Sequence, residues 1–307
     1  MEILQLGNTD YSASRIALGC MRMNSKSISD AAQIITVCVE NGIDFFDHAD
    51  IYGRGECETI FSKALALTSI RREDIKIQSK AGIVPNPGYF DFSKEHIIKS
   101  AEDSLKRLDC DYLDSFLLHR PDTLFEPEEV AEAFDYLEKS GKVLHFGVSN
   151  QNPGQIELLK KYVKQPLIIN QLQFGVMFSG MIDAGFNVNM KNSASVVHDN
   201  GILEYSRLHD MTIQAWSPYQ YGFFEGVFLD NDKFPELNMV IDELAKQHNT
   251  TNTGIATAWI SRHPAKIQTI IGTMNIERIT EIAKSDTITL THEEWYRIYK
   301  AAGNILP

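Results

Sequence analysis

FFDHADIYGRGECE, residues 45–58, changes character after its first two residues. Phe45 and Phe46 read as the end of a buried strand. Asp47, His48 and Asp50 follow at once, then Tyr52 and the turn Gly53-Arg54-Gly55, and Cys57–Ala66 then has the apolar period of a helix. The stretch is one strand–loop–helix unit with its polar groups gathered where the strand ends. Each of those groups costs free energy if it is desolvated without a partner. Either a loop simply begins there, or the groups are held together to do chemistry.

The same unit recurs along the chain. Strands are expected at Arg15–Gly19, Asp44–Asp47, Ile75–Lys80, Leu113–His119, Val143–Ser149, Leu167–Gln171, Thr212–Ser217 and Gln268–Gly272. Helices are expected between them at Ser29–Asn41, Cys57–Ala66, Ser93–Leu108, Pro127–Ser140, Pro153–Tyr162 and Asn200–His209, and after the last strand at Ile276–Lys284. Ser93 with His96 and Ser29 with Ala32 have the spacing of N-caps. Pro127 and Pro153 suit a first helical turn, where the missing N–H is not needed. Gly42 and Gly141 suit the left-handed stop after a helix.

Strict β–α alternation, eight times over and without a linker, predicts a (β/α)8 TIM barrel spanning residues 1–307 as a single domain. The alternative, a doubly wound open sheet, lacks a G-x-G-x-x-G after the first strand. Leu4–Tyr11, turning at Gly7-Asn8, is expected to form an N-terminal β-hairpin that plugs the barrel floor. Asp230–His263 is long enough for two helices, and Thr291–Ala302 reads as an extra C-terminal helix outside the barrel.

A composition of 43% hydrophobic and 23% charged residues is that of a soluble globular protein. A formal charge of −12 argues against a nucleic-acid partner, since phosphate backbones need a basic surface. It leaves room for a phosphorylated cofactor held by a few local arginines and helix N-termini. Cys20, Cys38, Cys57 and Cys110 form no C-x-x-C pair, which suggests reduced thiols in the cytoplasm and no zinc site. Neither a signal peptide nor a membrane-length apolar run is visible, so no membrane partner is expected.

Barrels of this kind gather catalytic residues at the C-terminal ends of their strands. Here those ends carry Asp47 (leading to Tyr52), Lys80, His119, Ser149-Asn150, Asn170-Gln171, Trp216-Ser217 and Gly272-Thr273. A phenol with a pKa near 10 is a poor proton donor unless something lowers that value. An adjacent ammonium does so by stabilising phenolate, and a carboxylate behind the lysine keeps it charged. A histidine at the same point orients a carbonyl oxygen by hydrogen bonding. The set suits protonation of a carbonyl oxygen while hydride reaches its carbon.

D-x-A-x-x-Y-G-x-G-x-x-E, present from Asp47 to Glu58, resembles the aldo-keto reductase signature. LGCM near the start, QSK at Lys80, LLHRPD at His119, GVSN at Ser149-Asn150, WSP at Trp216 and IIGTMNIERITE near the end extend the likeness over nearly the whole chain. The wording ALGCMRM and LLHRPD resembles a YdhF-like bacterial subgroup of that family. The resemblance implies that Tyr52 is the general acid, tuned by Lys80 and Asp47, with His119 orienting the carbonyl. It implies that Ser149, Asn150 and Gln171 bind a nicotinamide carboxamide and that Trp216, beside Ser217, stacks on the ring. Backbone around Cys20, Met21 and Arg22 becomes a cofactor neighbour, and Gly272, Thr273 and Arg278 meet the adenosine phosphate end. Relatives often carry a lysine where Gly272 stands and an adenine-binding asparagine where Ile282 stands. Arg278 favours NADP(H), with NAD(H) as the alternative.

The implied activity is reduction of a small aldehyde or ketone by a monomer. A non-catalytic or weakly catalytic nicotinamide-binding regulatory subunit is the rival on the same scaffold. A Schiff-base lyase using Lys80 is opposed by Asp47, which would keep the amine protonated. Arg120 and Asp122 are expected to pair at the rim, and His48 and Asp50 to face the pocket edge or solvent without a role. Tyr219, Tyr221, Phe223 and Phe224 form either a satellite cluster or a wall over cofactor and substrate.

Overall fold

The computed structural model describes residues 1–307. Eight strands close into a parallel barrel: β1 (Ile16–Gly19), β2 (Phe45–Asp47), β3 (Lys76–Ala81), β4 (Leu113–Leu118), β5 (Val143–Ser149), β6 (Leu167–Gln173), β7 (Thr212–Trp216) and β8 (Gln268–Ile271). They neighbour one another in chain order, and β8 pairs with β1 to close the ring. The eight expected strands are all present, with ends shifted by a residue or two.

Helices α1 (Ile28–Glu40), α2 (Glu56–Leu65), α3 (Lys94–Leu108), α4 (Pro127–Lys139) and α5 (Pro153–Lys160) occupy the early crossovers. Then come α6 (Gly180–Phe186), α7 (Ile202–Leu208), α8 (Pro235–Gln247), α9 (Asn252–Ser261), α10 (Ile276–Lys284) and α11 (His292–Ala301). The two helices expected in Asp230–His263 are α8 and α9, and α11 is the extra C-terminal helix. Sequence periodicity missed α6, whose seven residues give too few turns for a pattern.

Ser93 caps α3 by accepting from the His96 amide at 3.4 Å. The cap of α1 is Ser27, not Ser29: its hydroxyl accepts from the Asp30 amide at 3.1 Å. A cap needs extended backbone, which Ser27 has, whereas Ser29 already lies inside the helix.

A two-stranded hairpin, Ile3–Gln5 with Ser12–Ser14, closes the floor. Its Leu4, Leu6, Tyr11 and Ala13 pack with Ala17, Phe45, Leu117, Ile169 and Ile270 from the barrel strands in one buried cluster. Successive side chains on a strand alternate faces. Two residues beyond Phe45, Leu117, Ile169 and Ile270 lie Asp47, His119, Gln171 and Gly272, so the apolar floor and the polar mouth share one inward face.

Candidate active site

Lys80 is fully buried, and three acceptors fill its three donors. Its Nζ lies 2.9 Å from Asp47 Oδ2, 2.6 Å from the His48 carbonyl and 3.2 Å from Tyr52 Oη. Burial alone would lower its pKa, but Asp47 and Tyr52 outweigh that and hold it above the ordinary value. Tyr52 moves the other way from the sequence argument. Burial raises its phenol above the usual value, and Lys80 only partly pulls it back.

Asp47 is positioned by more than the lysine. Its Oδ1 accepts from Gln78 Nε2 at 2.6 Å and from Gln171 Nε2 at 3.0 Å. Those amides belong to a buried chain: Gln78 and Gln171 donate to Gln214, Gln214 to Gln268, and Gln268 to the Ser14 carbonyl. Gln78, Gln214 and Gln268 were missed from sequence. Each follows an isoleucine inside an apolar strand (Ile77-Gln78, Ile213-Gln214, Ile267-Gln268), a repeated signal that points to a polar layer in the barrel.

His119 meets Tyr52 edge-on, with ring centroids 6.0 Å apart. Burial, then the charges of Lys80 and Arg120, hold its pKa well below the ordinary value. Its Nδ1 has no partner. A neutral imidazole there offers one N–H to an incoming oxygen.

From this cluster a cleft of about 1260 Å³ runs past β5–β8 to the start of α10. Met21, Arg22, Asp47, Tyr52, His119, Ser149, Asn150, Gln171, Trp216, Ser217, Gly272, Thr273 and Arg278 all line it, while Lys80 lies behind Asp47 and Tyr52. Trp216 Nε1 donates to Asn150 Oδ1 at 3.2 Å, and Asn150 Nδ2 donates to Ser149 Oγ at 2.7 Å. Asn150 and Ser217, each just past a strand, have φ of 56° and 49°. Left-handed backbone is costly for serine, and such strain collects at functional sites. Arg22 Nη1 donates to the Gly272 carbonyl at 3.0 Å, and a Cβ at Gly272 would stand 2.8 Å from that nitrogen. Met274 precedes α10, whose Asn275 cap accepts from the Arg278 amide at 2.8 Å.

The sequence model of the aldo/keto reductase family matches residues 15–302. The chain belongs to the aldo/keto reductase family. As such it is an NAD(P)H-dependent oxidoreductase. It is 35% identical to the uncharacterized oxidoreductase YcsN of Bacillus subtilis (strain 168), over 98% of each chain. It is equally similar to the oxidoreductase YdhF of Escherichia coli (strain K12), at 35% over 94% of this chain and 93% of the relative. The solved structure of the thermostable aldo-keto reductase Tm1743 with the inhibitor epalrestat superposes with a TM-score of 0.78. It shares 24% identity over 98% of this chain and 100% of its own, which bears on the fold.

The Cys20 side chain is fully buried, with its thiol 3.7 Å from the Leu18 carbonyl within the core, while Gly19 and Met21 on either side of it line the cleft, so what this segment offers a cofactor is backbone. Ile282 is likewise fully buried, packed into the core from α10. Two sequence expectations for this aldo/keto reductase are corrected by the structure. Asp122 accepts from the amides of Phe92 and Leu124 at 3.0 and 2.9 Å, so it caps local turns and does not pair with Arg120. His48 faces neither solvent nor pocket; it is buried edge-on against Phe61 with both ring nitrogens unpartnered. Burial, helped by Lys80, lowers its pKa to about 3. Burial and the neighbouring Glu58 push Asp50 up to about 7.

The aromatic loop divides. Phe224 stacks 6.0 Å from Trp216 and Phe223 meets it edge-on, so these two are a wall over the cleft. Tyr219 also lines the cleft but bonds Thr257 at 2.7 Å, and Tyr221 packs on Phe234.

Proposed function

We propose that this aldo/keto reductase reduces the carbonyl of a small aldehyde or ketone to the alcohol, with NADP(H) as its nucleotide and Tyr52 as general acid. The observation that carries the reading is the 3.2 Å contact between Lys80 Nζ and Tyr52 Oη, beside a cleft of about 1260 Å³. A module that only bound a cofactor would have no use for a buried ammonium aimed at a phenol.

The residues fit such a cofactor by their donor types. One end of the cleft offers the guanidinium groups of Arg22 and Arg278 beside the N-terminus of α10, which suits phosphate. The other end offers the indole of Trp216 and the side chains of Ser149, Asn150 and Gln171, which suit an aromatic amide. A bound reduced nicotinamide supplies hydride to the carbonyl carbon.

The chain's own side chains supply the rest. Tyr52 gives its hydroxyl proton to the carbonyl oxygen. The phenolate left behind faces the Lys80 ammonium, which Asp47 keeps charged. His119 donates its N–H to the same oxygen and fixes the direction of approach. Phe223, Phe224 and Trp216 limit water at this point. Four free cysteines support a cytoplasmic setting.

A panel of aldehydes assayed by loss of NADPH absorbance tests the reading. Tyr52→Phe should lower turnover by about 10²-fold or more, as loss of a general acid does, while NADPH affinity by fluorescence titration stays close to wild type. Full turnover in that variant would remove Tyr52 from the role. For the nucleotide, Arg278→Ala should weaken NADPH binding by roughly tenfold, the scale of one charged hydrogen bond, and weaken NADH far less. An equal loss for both would contradict the preference for NADP(H).

A further inference from the structure

Arg120 follows His119 directly and lines the reacting end of the cleft, yet it is engaged by no acid. Its guanidinium lies over the faces of Trp216 and Phe223, with Cζ 5.5 and 5.9 Å from their ring centroids. It makes no ion pair and no side-chain hydrogen bond. Of the four acids that line the cleft, Asp47 is bound to Lys80, Asp230 accepts from Asn252, and Asp30 and Glu277 make no pair with Arg120. Asp122, the nearest acid along the chain, is occupied by two amides.

A half-buried guanidinium gives up hydration, and aromatic faces return only part of it. The edges of the planar group, which carry its N–H donors, are left free. Those donors match a carboxylate two at a time. Burial also lowers its pKa, a fall that a negative charge on Tyr52 would oppose.

We propose that Arg120 is a specificity-determining residue that anchors a carboxylate on the substrate, so that the preferred substrates are short aldehydes or ketones bearing a carboxylate beyond the carbonyl. This rests on the reductase reading above. The anchor would hold the anionic end against the Trp216–Phe223 wall while the carbonyl oxygen reaches Tyr52 and His119. Hydride and proton transfer are unchanged; only binding and register depend on Arg120.

The test compares matched substrates in the holoenzyme: 4-carboxybenzaldehyde against 4-formylbenzamide, and succinic semialdehyde against butanal. Wild type should prefer the carboxylate of each pair in kcat/KM by about tenfold or more, chiefly through KM. Arg120→Gln should abolish that preference, and Arg120→Lys should keep part of it, since the charge remains without the fork. A preference for the neutral partner in wild type, or a ratio unmoved by Arg120→Gln, would overturn the proposal. So would a variant whose main loss is NADPH affinity with the substrate ratio intact, which would assign Arg120 to the cofactor.

Calorimetric titration of the NADP-loaded protein with benzoate and benzamide gives a second readout that needs no turnover. Benzoate should bind at least tenfold tighter, and Arg120→Gln should remove the difference; equal binding in wild type would count against the anchor. Absence of turnover with every aldehyde would fault the reductase reading, while the benzoate comparison would still decide Arg120.

Discussion

His119 has Lys80 and Arg120 as neighbours and little water, and all three disfavour its imidazolium. Between pH 6 and 8 it is therefore neutral and donates one N–H. An unperturbed histidine would change charge near pH 6.5. If reduction needed imidazolium, kcat/KM would fall as pH rose through that value. With the pKa held well below it, His119 should contribute no inflection between pH 6 and 8, and any inflection near 7 that Asp50→Asn removes belongs to the Asp50 carboxyl. The basic limb of the profile should follow Tyr52, whose acid form persists upward because burial raises its pKa. The measurement is kcat/KM against pH with a neutral aldehyde. A drop centred near 6.5 that persists in Asp50→Asn would mean that His119 acts as a cation.

At this scale the sequence carried far. Asp47, Tyr52, Lys80 and His119 were legible because each stands at or just after the end of an apolar run. Less legible was the sign of the Tyr52 shift, since burial depth is a property of the folded environment and Lys80 alone suggested the opposite. The pairing of Arg120 with Asp122 failed for a related reason. Two acidic oxygens beside a turn bond first to local amides, and neighbourhood in sequence says nothing about that competition.

The strands explain why the polar groups converge. Side chains alternate along each strand, so one inward face holds both the floor cluster and, two residues on, the mouth. Close strand contact at that level depends on Gly147 in β5. A Cβ there would stand 2.6 Å from the Ile169 carbonyl and 2.7 Å from Leu117 Cδ2. Backbone cannot yield as a flexible side chain can, so Gly147→Ala should destabilise by about 1–3 kcal/mol. Urea denaturation would show a lower midpoint at unchanged slope. A variant as stable as wild type would mean that β5 and β6 can part without cost. Strands and longer helices were legible through period and length; α6 was not, because a helix of seven residues in a long irregular connection leaves no repeat. The glutamine layer was overlooked for the reason that glutamine in a strand ordinarily faces solvent, whereas here amides bond one another inside the barrel.

On the scale of the whole barrel, the two ends do different work. The hairpin and its apolar partners seal one end, and the cleft opens at the other. That division was readable from β–α alternation together with the short N-terminal apolar stretch. The shape of the mouth was not, because Phe223, Phe224 and Arg120 are placed by loop conformation, including a φ of 60° at Phe224. Nor was the inward turn of Ile282, which follows from the face that α10 packs against the barrel. The proposed reduction depends on a carbonyl oxygen meeting Tyr52 and His119 at the end of the cleft proposed for the dinucleotide. A crystal structure with NADP and an unreactive carbonyl analogue tests this most directly. The account predicts the analogue's oxygen within about 3 Å of both Tyr52 Oη and the His119 imidazole, with the nicotinamide against Trp216. A dinucleotide bound elsewhere, or a carbonyl oxygen out of hydrogen-bonding reach of Tyr52, would contradict it.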